Sequence, residues 1–115
     1  MQLKDIQQAV DTWIQTYGVR YFSETTNMIL LTEEVGELAR IIARKYGEQN
    51  FKKPISIDEI DQRLKDEIGD VLFVLICMAN QMNIDLEEIM QNNLAKKRIR
   101  DKTRHLENPK LKGDA

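Results

Sequence analysis

The sequence predicts an all-α, four-helix bundle-like single domain, assembled as a homo-oligomer. Three observations predict it. Apolar residues recur at helical spacing in four separate stretches, and no alternating β-branched run marks a strand. Ser23, Ser56 and Asp85 stand where helices should start, each followed by acidic residues. Short connectors carrying Gly18, Gly47, Pro54 and Asn83 separate the stretches. A chain of 115 residues makes one domain with a modest core, a size that often gains from oligomerisation.

The first helix is expected from about Leu3 to Tyr17, with Ile6, Val10, Trp13, Ile14 and Tyr17 on its apolar side. Gly18 can take the left-handed conformation that stops it. After the connector 19–22, Ser23 caps a second helix from Glu24 to Tyr46. Its stripe is Met28, Leu31, Val35, Leu38 and Ile42, and its last turn carries Arg44 and Lys45, cations that suit the helix dipole. Ser56 and Glu59 match a capping box opening a third helix that runs to about Gln81. Residues 68–82 are apolar nearly all round, so this should be the most buried helix. Asp85 opens a fourth helix reaching about His105. The domain is expected over 1–107, followed by a mobile tail over 108–115.

Composition narrows the function. Hydrophobic residues at 42% and charged residues at 31% mark a globular chain rather than a disordered one. A formal net charge of −2 gives no electrostatic case for nucleic acid or an anionic membrane as partner. The longest apolar run, 71–79, is too short to span a bilayer, and the N-terminus has no signal-peptide core, so a cytoplasmic location is expected. The lone Cys77 sits in an apolar run and reads as a small buried hydrophobe. His105 is the sole histidine and sits beside the expected tail, which argues against a histidine metal centre and a Ser-His-Asp triad. No glycine-rich loop of the P-loop or dinucleotide kind is present.

The informative stretch is Glu33-Glu34-Val35-Gly36-Glu37, with its echo Glu67-Ile68-Gly69-Asp70. At about 100° per residue, Glu34 and Glu37 share one helix face, as do Glu67 and Asp70. A surface helix keeps its carboxylates opposite its apolar stripe; here they interrupt it. Carboxylates facing one another in a partly dry space repel strongly, so a cation should lie between them. An all-oxygen ligand set selects Mg²⁺ or Mn²⁺. Gly36 and Gly69, one inside each motif, suggest close approach of another backbone or of a ligand. Two helices with facing carboxylates make a hairpin of the kind from which bundles build metal sites.

Leu31-Thr32-Glu33-Glu34-Val35-Gly36-Glu37-Leu38, followed by Asp66-Glu67-Ile68-Gly69-Asp70-Val71-Leu72-Phe73, resembles the MazG-type nucleotide pyrophosphohydrolases of the all-α nucleoside triphosphate pyrophosphatase superfamily. The resemblance extends weakly over about Tyr21 to Arg104. It implies that Glu34, Glu37, Glu67 and Asp70 are metal ligands, with Glu33 holding a further metal or orienting the attacking water. It implies conversion of a nucleoside triphosphate to monophosphate and pyrophosphate, in a role that sanitises the nucleotide pool. A carboxylate not fully used as a ligand can take the proton from water, and Glu33 and Glu34 are the two candidates. Asn93, Lys96, Lys97 and Arg100 on the fourth helix would reach the triphosphate; Lys96 and Arg100 share a face. Tyr21 and Phe22 are the expected base contacts, whereas Trp13 and Tyr17 fit better as core. A homodimer or homotetramer is expected, with part of each site drawn from a neighbouring chain. The rival reading is a non-enzymatic helical scaffold module in which the acids form interchain salt bridges with Lys96, Lys97 and Arg100. A metal-dependent hydrolase of another phosphate ester is a second rival.

Overall fold

A computed structural model describes residues 1–113. It contains α1 (Leu3–Trp13), α2 (Glu24–Tyr46), α3 (Ile57–Gln81) and α4 (Leu86–Asp101), with no strand among the described residues. The predicted starts hold. The Oγ atoms of Ser23 and Ser56 accept from the Thr26 and Glu59 amides at 3.2 and 3.1 Å. Asp85 Oδ1 accepts from Glu87 and Glu88. These bonds satisfy amides that a helix N-terminus leaves without intrahelical partners.

Two ends differ from expectation. The first helix widens at Ile14 into a π-helical turn, Ile14–Gly18. The chain then reverses at Val19, not Gly18: Val19 has φ 71° and ψ −55°, and the Arg20 amide donates to the Gly18 carbonyl at 2.9 Å. This is the strained form of γ-turn, unusual for a β-branched residue. The last helix ends at Asp101 rather than His105. Asp101 gathers Arg100 and Arg104 at 2.7 and 3.2 Å, and the Arg100 guanidinium, then that of Arg104, holds its carboxyl down at about 2. Beyond it, Pro109–Leu111 forms a 3-10 turn capped by Asn108. Of the tail expected to be mobile, Asp114 and Ala115 lie outside the described residues.

α2 and α3 form an antiparallel hairpin. A Lys45–Asp61 ion pair ties them beside the loop. At the far end, Gln81 Nε2 donates to the Phe22 carbonyl and to Glu24, and its Oε1 accepts from Asn27 at 2.7 Å. α1 crosses α3 through Gln7, whose amide donates to Asn80 and to the Ile84 carbonyl while its Oε1 accepts from the Leu86 amide. Ile76, Ala79 and Leu86 are buried beneath Leu3, Ile6, Val10 and Ile84.

This core is small. α3 buries Ile76, Cys77 and Ala79, but Ile68, Leu72 and Leu75 stay about half exposed, as does Val35 on α2. α3 is the most buried helix, as expected, but its remaining apolar face stays open within one chain because α4 does not cover it. α4 leaves α3 at 104° and packs on α1. The radius of gyration is accordingly 18.4 Å, where a compact chain of this length has about 13 Å. Among the described residues, no single helix is long and apolar enough to cross a membrane.

Candidate active site

The hairpin brings the two acidic motifs together. One carboxylate oxygen each from Glu34, Glu67 and Asp70 lies within 4.8 Å of the others. Glu37, one turn beyond Glu34, lies against the Glu67 carboxyl. Glu33 is exposed and outside this group. Oε2 of both Glu34 and Glu67 is shut off from solvent and has no hydrogen-bond donor. Each such orphan costs about 1–3 kcal/mol, more when charged. Burial first, then the neighbouring Glu37 and Glu34 carboxylates, push the Glu67 carboxyl up to about 7. A hard divalent cation answers all of these at once, and an all-oxygen donor set fits Mg²⁺ or Mn²⁺. Gly36 and Gly69 do not mark a close approach within the chain: a Cβ at either would meet nothing within 4 Å.

Two cavities flank the carboxylates along the hairpin. The first, about 270 Å³, lies towards the start of α2 and is largely apolar, with Trp13, Phe22, Leu30, Phe73, Val74 and Cys77 in its wall. Leu30 is one turn before Glu34 and Val74 one turn after Asp70, so this cavity adjoins the cluster. Trp13 meets Phe73 edge-on at 5.5 Å. Trp13 is 48% exposed and Tyr17 73%, so neither is the core residue its spacing suggested. Tyr17 lies in the π turn, beyond the regular α-helical spacing. Tyr21 also lines the cavity. Its phenol, pushed up to about 12 by burial and by Asp11, donates to Asp11 at 2.6 Å and accepts from Asn80. Burial likewise pushes the Cys77 thiol up to about 11, as suits an inert wall residue.

The second cavity, about 290 Å³, lies towards the α2–α3 loop. Glu37, Arg40, Arg44, Phe51, Arg63 and Glu67 line it, with Ile41 and Asp66.

The MazG nucleotide pyrophosphohydrolase domain model matches residues 22–105, which takes in both acidic motifs. This chain belongs to that family. The MazG chain is 47% identical over 102 residues to the uncharacterized protein YpjD of Bacillus subtilis, covering 89% of this chain and 88% of YpjD. A second uncharacterized B. subtilis protein, YvdC, is 30% identical over 93 residues, with 79% and 88% covered. Among solved structures, the Bacillus-conserved MazG protein, a nucleotide pyrophosphohydrolase, superposes with a TM-score of 0.69 at 42% identity, over 84% of this chain and 88% of that one. The B. subtilis YpjD structure superposes with a TM-score of 0.72 at 43% identity, over 84% and 94%.

Within one MazG chain the expected phosphate-binding residues of α4 stand apart from the carboxylates. Asn93, Lys96, Lys97 and Arg100 are exposed on a helix that packs against α1, and Arg100 is bound to Asp101. The cations beside the cluster are instead Arg40, Arg44 and Arg63. By its place in the sequence Arg44 suits only the helix dipole. The available signal was spacing: Arg40 and Arg44 follow Glu37 by three and seven residues, and Arg63 precedes Glu67 by four, all on the carboxylate side of their helices.

Proposed function

We propose that this protein is a Mg²⁺-dependent nucleoside triphosphate pyrophosphohydrolase, cleaving NTP or dNTP between the α- and β-phosphates to give NMP and pyrophosphate. The observation that carries the reading is the convergence of Glu34, Glu67 and Asp70, with buried, donor-less oxygens on the two glutamates. Glu34, Glu37, Glu67 and Asp70 would hold Mg²⁺, with Mn²⁺ an alternative. The bound cation would offset phosphate charge and acidify a water ligand. Glu33, one residue from the cluster yet outside it, is free to accept the water's proton. The apolar cavity suits a base: Phe22 and Trp13 offer aromatic faces, and about 270 Å³ lies at the small end of ligand pockets.

Support for a homodimer or homotetramer comes from the half-exposed apolar face of α2 and α3 and from the splayed α4. A neighbouring chain's α4 would then bring Lys96, Lys97 and Asn93 to the phosphates. The same reading includes a cytoplasmic role in clearing unwanted nucleotides.

The deciding experiment incubates the purified protein with a panel of NTPs and dNTPs in Mg²⁺ and identifies the products. Monophosphate and pyrophosphate are expected. Orthophosphate and diphosphate, or no turnover of any nucleotide, would reject the reading in favour of another phosphohydrolase or a scaffold.

A further inference from the structure

Beside the carboxylates lies a cavity whose wall carries three arginines among three acids, and one of those arginines is incompletely satisfied. Arg44 Nε is buried and has no hydrogen-bond partner. Its guanidinium carbon sits 5.8 Å from the centroid of the Phe51 ring, a cation–π placement that holds the head group in position. Among the described residues, neither Arg40 nor Arg44 has a carboxylate within ion-pair distance. Arg63 is tethered to Glu59 at 3.1 Å on its own helix. An adjoining cavity of about 470 Å³ shares Arg44, Phe51 and Arg63 and adds Lys52 and Lys53 from the loop. The acids nearby are accounted for. Glu37 and Glu67 belong to the carboxylate cluster, Asp66 accepts from the Gln62 amide, and Glu59 serves Arg63.

We propose that Arg44 and Arg40 bind the β- and γ-phosphates of the substrate and retain pyrophosphate as the leaving group. This rests on the pyrophosphohydrolase reading and adds a direction to it. α2 and α3 run antiparallel, so the aromatic cavity lies on one side of the carboxylates and the arginine cavity on the other. A nucleotide laid along the hairpin puts its base against Trp13 and Phe22, its α-phosphate at the carboxylates and its remaining phosphates at the arginines. Arg44 stands seven residues beyond Glu37, about 10 Å along the axis. In the reaction, water oxygen bonds to the α-phosphorus as one water proton passes to Glu33, and the bond from that phosphorus to the bridging oxygen breaks. The electron pair leaves on pyrophosphate. Guanidinium groups suit that charge because their planar fork engages phosphate oxygens in pairs, and an anion at Arg44 supplies the acceptor its Nε lacks. Triphosphates should therefore be preferred to diphosphates.

Arg44→Met and the exposed Arg40→Met test this, with Arg44→Lys retaining charge but not the fork. In Mg²⁺, KM for the best triphosphate and the inhibition constant of pyrophosphate should both rise roughly ten- to a hundredfold in Arg44→Met. Arg44→Lys and Arg40→Met should fall between it and wild type. Inhibition by the nucleoside monophosphate should not change. Melting curves and circular dichroism verify folding; if Arg44→Met does not fold, Arg40→Met and Arg44→Lys decide. Active wild type with variants unchanged in both constants overturns this proposal alone. If wild type cleaves no nucleotide, the function reading falls separately, and calorimetric titration with pyrophosphate in Mg²⁺ decides: binding lost in the variants supports the arginine site, and no binding to wild type overturns it.

Discussion

Glu34 on α2 and Glu67 on α3 face each other across the hairpin seam, and each keeps its Oε2 buried without a donor. Carboxyl groups crowded this way without a donor raise the free energy of the metal-free fold, and a bound cation lowers it.

Divalent cation should therefore raise the melting temperature. At a hundredfold excess over Kd, binding contributes about 2.7 kcal/mol, or roughly 10 °C for a domain near this size. In chelator, Glu34→Gln should melt no lower than wild type, because it removes repulsion, and it should lose most of the Mg²⁺ response. Calorimetric melts with and without Mg²⁺ measure both; identical wild-type curves would show that the acids hold no ion.

Turnover should separate the acids by role. Glu34→Gln, Glu67→Gln and Asp70→Asn should lose about a hundredfold or more in kcat while remaining folded. Glu33→Gln should lose kcat yet keep the Mg²⁺-induced rise in melting temperature. A Glu33→Gln enzyme with unaltered kcat would return the proton-accepting role to Glu34.

The exposed apolar face should be covered by another copy. Light scattering at micromolar concentration should give a dimer or tetramer mass, and Leu72→Glu with Leu75→Glu should reduce it. If a neighbour's α4 completes the site, mixing a Glu34→Gln chain with a Lys96→Ala chain should recover activity that neither has alone. A wild-type monomer would refute the shared-site arrangement.

Tyr21 should set an alkaline limit. Its folded pKa of about 12 lies above the ordinary value of 10.0, because burial and Asp11 favour the neutral phenol. The folded state thus holds a proton that the unfolded state releases first. Stability from this group is complete below pH 10 and falls as pH rises towards 12. Tyr21→Phe should be less stable at neutral pH, having lost the bonds to Asp11 and Asn80, but its stability should decline less across that window. Urea melts at several alkaline pH values test this; parallel curves for the two proteins would remove Tyr21 as the cause.

Local chemistry was legible where one residue acts on its own helix. Ser23, Ser56 and Asp85 cap helices through amides two or three positions away, so the starts of α2, α3 and α4 could be read directly. The i, i+3 spacing of Glu34 with Glu37 and of Glu67 with Asp70 determines that each pair shares a face. The ends were harder. The π turn at Ile14 and the γ-turn at Val19 depend on how α1 settles against α3, a contact no short window contains.

The sequence alone determined four helices, their acidic motifs and the family to which they belong, because periodicity and spacing are properties of the chain itself. Only the tertiary structure decided which charges meet. Pairing α2 with α3 brings Glu34 to Glu67 and turns Arg40 and Arg44 into a cavity wall, while the angle at α4 carries Lys96 and Arg100 away. Those outcomes depend on where whole helices pack, and burial against a distant element outweighs any preference written locally.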